Sequence, residues 1–231
     1  MKTIGLIGGM SWESSAEYYH VINETVRNKL GGLHSAKSIM VSVDFAEIEE
    51  LQNRGEWQHA GRLMVAAAQS IERAGADFVV LCTNTMHKLA DDIQTNIHIP
   101  LLHIADATAQ KIKSRGIRKV GLLGTHYTME EDFYTGRLTR TFGLEVITPD
   151  GPDREVVHRV IFDELCLGIA KPESRERYRT IMEKMAHAGA EGIILGCTEI
   201  ELLIREEDSP VPLFPTAKIH ATAAAEYALA E

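Results

Sequence analysis

The chain has 231 residues, of which 45% are hydrophobic and 25% are charged, and these proportions are typical of a globular protein. They exclude intrinsic disorder, collagen-like repeats and a small disulfide-stapled fold. Acidic residues outnumber basic ones by 33 to 24, which gives a formal net charge of −9. With no cluster of lysine and arginine to collect phosphates, neither nucleic acid nor an anionic membrane is an expected partner.

The apolar runs, such as residues 78–82, are much shorter than the ~20 residues that span a bilayer. The N-terminus shows no signal-peptide cleavage site and is predicted to form a first strand. Three cysteines, Cys82, Cys166 and Cys197, lack the spacing of a metal site, and an odd number of thiols is typical of a reducing compartment. We therefore expect a cytoplasmic protein without a structural metal.

Short apolar runs alternate with amphipathic segments, a pattern typical of βαβ units in an α/β protein with mostly parallel sheets. In chain order, the first predicted elements are a strand at 3–8, a helix that begins with a Ser14/Glu17 capping box and ends at Leu30, a strand at 38–44, a helix at 56–74 and a buried strand at 77–82. Gly31-Gly32 and Gly75 are predicted to end the two helices. The acidic stretch 44–50 and the pair Glu130-Glu131 are predicted to be solvated faces.

The second half of the chain repeats the first. Residues 74–85 align without a gap on 188–199, with Gly189 lying 114 residues after Gly75. Residues 4–8 likewise match 120–124, and 99–101 match 211–213, at nearly the same offset. A period this long indicates a duplicated domain. We therefore predict two similar α/β lobes, related by a pseudo-twofold axis, whose equivalent strand ends face an interlobe cleft.

Small polar residues follow four of the predicted strands, at the sheet edge where α/β proteins bind ligands. The four clusters are Gly8-Gly9-Met10-Ser11, Thr83-Asn84-Thr85, Gly124-Thr125-His126-Tyr127-Thr128 and Cys197-Thr198-Glu199. Hydroxyl and amide donors of this kind suit a carboxylate ligand. The spacing of Gly5, Gly8 and Gly9 does not match a dinucleotide-binding loop, and no phosphate-binding loop motif occurs.

Cys197 is the strongest candidate for a catalytic residue, because it follows a strand and precedes a residue that can start a helix. A helix N-terminus stabilises a thiolate. Cys82 falls inside an apolar run and aligns with Gly196, so core packing is expected for it. Cys166 is interpreted as structural, with a smaller chance of lining the pocket.

The remaining candidates carry weaker signals. Arg54 is the best-placed cation for an anionic substrate, although a surface position is the default for an arginine. Thr83 and Asn84 could be ordinary helix caps. A catalytic role for the His126-Tyr127 pair receives little weight. His87 and His103 are expected to be core or supporting residues, since no metal-binding spacing surrounds them.

The clusters at 8–11, 83–85 and 196–199 together resemble those of the cofactor-independent aspartate/glutamate racemase family, and the similarity extends over the whole chain. The resemblance implies two α/β lobes with the active site between them, no pyridoxal phosphate and no other cofactor, and a homodimer. It also implies that the C-terminal helix returns to the first lobe. The expected domains are therefore 1–98 with 212–231, and 99–211.

In that family, one cysteine from each lobe acts on either face of the substrate Cα. Here Thr83 stands where the first cysteine is expected, and Cys82 comes one residue too early, which turns its side chain to the opposite face of a strand. The resemblance thus implies that Cys197 is the base for one enantiomer, the L form by the family's lobe assignment, and that Thr83 is the acid. The residues expected to hold the amino acid are Met10, Ser11, Arg54, Asn84, Thr85, Thr125, Thr128, Thr198 and Glu199, the last also tuning Cys197.

The leading hypothesis is therefore an amino-acid racemase that interconverts L- and D-aspartate and/or glutamate. One alternative is an arylmalonate-type decarboxylase, which also uses a single thiol in the second lobe but prefers a more apolar pocket. The other is a binding protein that kept the amino-acid site and lost turnover together with its first cysteine.

Overall fold

The computed structural model describes residues 1–230, which form two compact units. The first unit contains residues 1–104 and the C-terminal residues from 220, and the second contains residues 105–219. The chain therefore crosses between the units twice, a few residues beyond the boundaries expected from the sequence.

The first unit is built on a four-stranded parallel sheet in the order β2-β1-β3-β4. Its strands are β1 (Ile4–Gly8), β2 (Ser38–Ser42), β3 (Phe78–Leu81) and β4 (Leu101–Leu102). Its helices are α1 (Trp12–Leu30), α2 (Phe45–Asn53), α3 (Trp57–Arg73) and α4 (Ala90–Thr95), with a 3₁₀ helix at Thr85–Leu89. The central strands β1 and β3 are buried along their whole length, as expected of parallel strands covered by helices on both faces.

The second unit repeats this arrangement, with a parallel sheet in the order β6-β5-β7-β8. Its strands are β5 (Lys119–Gly124), β6 (Glu145–Ile147), β7 (Ile193–Gly196) and β8 (Leu213–Pro215). The remaining helices are α5 (Ile104–Ser114), α6 (His126–Glu130), α7 (Asp132–Phe142), α8 (Gly151–Asp163), α9 (Pro172–His187) and α10 (Thr216–Leu229), with 3₁₀ helices at Leu165–Leu167, Thr198–Leu202 and Glu206–Asp208.

The two sheets also share their register. Gly5 of β1 pairs with Val79 of β3, and the residues equivalent to them by the sequence repeat, Gly121 and Ile193, pair in the second sheet. The predicted α/β class with two similar, parallel-stranded lobes is therefore confirmed.

The start of α1 differs from the prediction. The helix begins at Trp12, and its N-cap is Ser11, whose Oγ accepts a hydrogen bond from the Ser14 N–H over 3.3 Å. The predicted Ser14/Glu17 capping box is wrong, because Ser11 already has the extended backbone that a cap requires. The other end is as predicted, since Gly31 has a φ of 76° and its N–H bonds to the Arg27 carbonyl.

The acidic stretch after β2 forms a helix, α2, that the sequence analysis did not predict. Asp44 caps it by accepting the Ala46 N–H over 3.1 Å. Ile48 and Gln52, one turn apart, are its buried residues, so only a narrow stripe of the helix faces the core. Most of its carboxylates are exposed, in keeping with the predicted solvated face. Among residues 1–230, no helix has both the length and the apolar character that crossing a membrane demands.

Candidate active site

The chain turns sharply where β1 ends, at residues 9–11. Gly9 has a φ of 98°, and a Cβ there would lie 2.6 Å from the Val43 nitrogen, so a side chain would be strained and crowded. Ser15 Oγ accepts the Gly9 N–H over 2.7 Å and donates to the Ser11 carbonyl over 2.9 Å. These bonds hold Met10 and Ser11, both 5% exposed, in one buried turn.

The second polar turn of this unit follows β3. The Thr83 N–H bonds to the Leu81 carbonyl over 2.9 Å, and the Thr83 carbonyl lies 2.7 Å from Nδ1 of His87. Asn84 and Thr85 are buried, whereas Thr83 is partly exposed. All three predicted site residues of this motif therefore lie in a turn whose backbone is tightly held.

The two turns lie next to each other. Strands β1 and β3 are hydrogen-bonded neighbours, and Ser14 Oγ, in the first turn of α1, donates to the Cys82 carbonyl over 3.4 Å. The structure thus brings Met10 and Ser11 together with the motif at residues 83–85, as predicted for the carboxyl ends of adjacent parallel strands.

Cys82 is completely buried, as expected for a core residue. Burial raises the pKa of its thiol strongly, because a thiolate there would lose its hydration. Cys82 is therefore a neutral thiol in the core of the first unit.

In the second unit, Thr125 caps α6 at the end of β5. Its Oγ1 accepts the Thr128 N–H over 3.3 Å and lies 3.2 Å from Thr128 Oγ1, and both threonines are buried. Gly124 pairs with Gly196 in the sheet, so Thr125 and Cys197 follow neighbouring positions. The structure therefore places Thr125, Thr128 and Cys197 at one sheet edge.

Cys197 comes directly after β7, and its thiol donates a hydrogen bond to Glu199 Oε2 over 3.0 Å. The Thr198 hydroxyl donates to the same oxygen over 2.7 Å. Glu199 is only 7% exposed, so its carboxylate is held against the thiol, whereas Cys197 itself is partly exposed. This pair is a proton donor and a proton acceptor in direct contact.

The surroundings of Cys197 oppose the stabilisation of a thiolate that a helix N-terminus can provide. Burial of the sulfur raises the pKa of the thiol well above its usual value, and the negative charge of Glu199 raises it further. The helix that Cys197 precedes is a five-residue 3₁₀ turn that carries two acidic residues, Glu199 and Glu201. A turn this short adds little dipole, and the Glu199 carboxylate disfavours a second negative charge nearby.

Cys166 lies closer to this chemistry than its interpretation as a structural residue suggests. It belongs to the 3₁₀ helix Leu165–Leu167, which packs against Thr198–Leu202, and it is partly exposed. Its thiol contributes to raising the pKa of Cys197. Burial raises the pKa of Tyr178, whose hydroxyl donates to the Val157 carbonyl over 3.1 Å, and the two cysteines raise it further.

Arg54 lies at the exposed C-terminal end of α2, where its guanidinium pairs with Glu50, one turn back along the same helix. The buried polar residue of α2 is instead Gln52, whose Nε2 lies 3.0 Å from the Met86 sulfur, directly after the motif at residues 83–85. The sequence analysis did not select Gln52. The available signal was its spacing of four residues from Ile48, which places both on one helix face.

His126 and Tyr127 lie beside Thr125 and stack on each other with ring centroids 4.0 Å apart. His126 Nδ1 is also 3.1 Å from the ring nitrogens of His158. Burial lowers the pKa of His158, and the neighbouring His126 lowers it further. Within residues 1–230 no group of three or more His, Cys, Asp or Glu side chains is arranged to hold a metal ion.

These features define an α/β protein with a hydrogen-bonded thiol and carboxylate at a strand end, and comparison with known proteins gives its family. The model of the Asp/Glu/hydantoin racemase family matches residues 7–224. The chain therefore belongs to the Asp/Glu/hydantoin racemase family and is an isomerase of the amino-acid racemase class.

Two solved structures resemble the chain over nearly all its length. A Yersinia pestis protein assigned as an Asp/Glu racemase shares 60% identity with a TM-score of 0.94, and covers 100% of both chains. An aspartate racemase homologue from Pyrococcus horikoshii OT3 shares 39% identity with a TM-score of 0.85, over 99% of each chain. The broad specificity amino-acid racemase RacX of Bacillus subtilis (strain 168) is 26% identical over 160 residues, which are 68% of this chain and 66% of that protein.

Proposed function

We propose that the protein racemises aspartate and/or glutamate without pyridoxal phosphate, using Cys197 as the base for one enantiomer and Thr83 as the acid. The observation that carries the proposal is the 3.0 Å contact between the Cys197 thiol and the Glu199 carboxylate. The repeat alignment pairs Cys197 with Thr83; Cys197 directly follows β7, and Thr83 comes two residues after the end of the equivalent strand, β3.

The proposed proton transfers run through these three side chains. Glu199 Oε2 takes the proton from the Cys197 sulfur, and the resulting thiolate removes the α-proton of the substrate. The Thr83 hydroxyl delivers a proton to the opposite face of Cα and recovers one from water, and the hydroxide that this leaves takes up the proton held by Glu199. Because the pKa of the Cys197 thiol is raised, the thiolate is scarce at neutral pH. The Glu199 carboxylate already contacts the S–H, so the proton can pass directly to it when the thiolate forms.

The α-carboxylate gains charge when the α-proton leaves, and convergent neutral donors can stabilise that charge. We propose that these donors come from the two pairs of strand-end turns and from the residues beside them. They are the backbone N–H of Met10 and the backbone and side chains of Ser11, Asn84, Thr85, Thr125, Thr128 and Thr198. None of these residues is a lysine, which pyridoxal phosphate needs for its Schiff base.

An acidic substrate is supported by the similarity to the Pyrococcus horikoshii aspartate racemase homologue. For the side-chain carboxylate we propose buried Gln52 as a contact, with Arg54 approaching only if it leaves Glu50. We further propose a homodimer in the cytoplasm, in which the three free cysteines stay reduced.

The test is hydrogen exchange at Cα, followed by NMR in D₂O with both enantiomers of aspartate, glutamate and a panel of other amino acids. We expect deuterium incorporation and inversion with an acidic amino acid, and neither in Cys197→Ala. Absence of exchange with every amino acid would overturn the proposal. Release of CO₂ from substituted malonates would then identify a decarboxylase, and tight binding without exchange would identify a binding protein.

A further inference from the structure

Three histidines are buried together in the first unit, directly behind the Thr83 turn. His87, His103 and His220 are 2%, 6% and 0% exposed. The ring centroid of His87 lies 4.5 Å from that of His103 and 5.8 Å from that of His220. A packed, water-poor cluster of imidazoles is unusual in a core, where polar rings need defined hydrogen bonds.

The hydrogen bonds of His87 define its tautomer. Its Nε2 accepts the backbone N–H of Ile104 over 3.2 Å, and a backbone N–H can only donate. The neutral ring therefore carries its proton on Nδ1, which donates to the Thr83 carbonyl over 2.7 Å. His87 thus joins the turn that bears the proposed acid to the first residue of α5.

The hydrogen bonds of His220 define its tautomer and orientation in the same way. Its Nε2 lies 2.8 Å from the Leu102 carbonyl, which can only accept, so the proton is on Nε2. Its Nδ1 is then the acceptor for the Tyr18 hydroxyl, 2.9 Å away. His220 is therefore bonded to Leu102 and His87 to Ile104, and these two residues flank His103. Together the hydrogen bonds of the two histidines form a frame that fixes the direction of the His87 ring.

Thr83 is consequently held at both of its backbone polar groups. Its N–H is tied to the Leu81 carbonyl and its C=O to His87. Because χ1 of a β-branched residue has few allowed values, a fixed backbone also restricts the directions that the hydroxyl can take. The position equivalent to His87 in the second unit is the exposed Glu201, and there the Cys197 carbonyl accepts a backbone N–H, that of Ile200, over 3.2 Å.

We propose that His87 is a positioning residue that aims the Thr83 hydroxyl at the substrate Cα. The proposal rests on the proposed function, since it assigns a role to the acid of that reaction. The hydrogen bond from His87 occurs in the first unit, where the Thr83 hydroxyl stands in place of the thiol that the family resemblance leads one to expect. A hydroxyl is a much weaker acid than a thiol, so there is less driving force for proton transfer to Cα. The rate of that transfer therefore depends more on correct placement of the hydroxyl.

Two conservative variants separate the two hydrogen bonds of His87. In His87→Asn the amide nitrogen takes the place of Nδ1 and keeps the bond to Thr83. In His87→Gln the amide oxygen takes the place of Nε2 and keeps the bond to Ile104. Tyr18→Phe is the matched control, because it removes a buried hydrogen bond of the same frame without touching Thr83.

The readout is the ratio of inversion to exchange with retention, measured by NMR in D₂O on the enantiomer that Cys197 deprotonates. A thiolate that takes a proton and returns a deuteron exchanges Cα without needing Thr83. We expect His87→Gln to lower this ratio by roughly tenfold or more, and His87→Asn and Tyr18→Phe to stay within about threefold of the wild type. A merely structural role would lower both reactions together.

Equal ratios in His87→Gln and His87→Asn, with both proteins folded, would overturn the inference. If the variants do not fold, ¹⁵N NMR of the histidine rings in the wild type still decides, because the inference requires the Nδ1–H tautomer at His87. Finding the Nε2–H tautomer there would overturn it. A wild type that shows no exchange at all would overturn the proposed function and this inference with it, whereas exchange with unchanged ratios would overturn only the inference.

Discussion

The thiol of Cys197 and the carboxylate of Glu199 form a hydrogen-bonded pair, with Sγ 3.0 Å from Oε2, at the end of β7. The carboxylate has two opposite effects on this thiol. Its charge raises the pKa and so disfavours the thiolate, but its oxygen is the nearest base that can receive the thiol proton.

Replacing Glu199 by Gln separates these two effects. The pKa of the Cys197 thiol is expected to fall, because the negative charge that helped to raise it is gone, although burial keeps it above its usual value. Racemisation is expected to slow by about 10- to 100-fold at neutral pH, because the proton acceptor is lost. The pKa can be followed by the rate of Cys197 alkylation as a function of pH.

Glu201→Gln is the control for Glu199→Gln, because it removes the same charge from the same 3₁₀ helix at an exposed position. Its activity and its alkylation profile should match those of the wild type. A rise in the pKa of Cys197 in Glu199→Gln would contradict the assigned electrostatics.

The two cysteines closest to the strand ends should behave differently. Cys197→Ala is expected to abolish exchange at Cα, since the base is removed. Cys82→Ala leaves a small cavity in the core, so we expect a loss of about 1–2 kcal/mol in the free energy of unfolding and a mild loss of activity. Urea denaturation and racemase assays on both variants test this ranking, and the reverse order would show that the site has been misassigned.

Substitutions of Thr83 test the asymmetric acid. Thr83→Val keeps the shape and removes the hydroxyl, so inversion should fall by about 10²-fold or more while exchange with retention persists. Thr83→Cys supplies the thiol that the family resemblance leads one to expect, and it should raise the rate of inversion. Inversion at the wild-type rate in Thr83→Val would exclude Thr83 as the proton donor.

The asymmetry between thiol and hydroxyl cannot make the reaction run one way. Two enantiomers in water have equal free energies, so kcat/KM must be the same in both directions, while kcat and KM can each differ. Progress curves followed by circular dichroism from pure L or pure D substrate should therefore reach the same racemic end point. Unequal values of kcat/KM would mean that another reaction contributes.

Stability in acid should depend on a different pair, Arg175 and Asp208. Burial alone would raise the pKa of Asp208, but hydrogen bonds from the Arg175 side chain and the Arg205 N–H lower it below its usual value. A lowered pKa stabilises the fold above the unfolded value of ~3.9, and that stability is lost as the pH falls through the folded pKa.

Arg175→Met should therefore unfold at a lower urea concentration than the wild type at neutral pH. The difference should begin to shrink as the pH falls below about 4, the unfolded pKa, and should vanish once the pH has fallen through the lowered pKa of Asp208 in the folded wild type. Arg177→Met, on the same helix, is the control. A difference in the free energy of unfolding that does not depend on pH would refute the electrostatic explanation.

Several features of this protein followed from the sequence alone. The repeat near an offset of 114 residues predicted two α/β units, because a duplicated order of apolar runs and glycines gives the same strand pairing twice. The polar turns at residues 10–11, 83–85 and 125–128 followed from the same pattern, since residues after parallel strands share one sheet edge. Local sequence patterns fail to predict an element when few of its residues are buried. Helix α2 was not predicted because only Ile48 and Gln52 face the core.

Only the tertiary structure decided the chemistry of individual groups. The sequence places Cys197 before a helical segment and Glu199 two residues after it, but the burial that contributes most to raising the pKa of Cys197 depends on the residues packed around the sulfur. The link from His87 to Thr83 likewise depends on Ile104 to orient the ring. Desolvation and hydrogen-bond direction depend on atoms that are distant in the chain, and folding alone brings those atoms together.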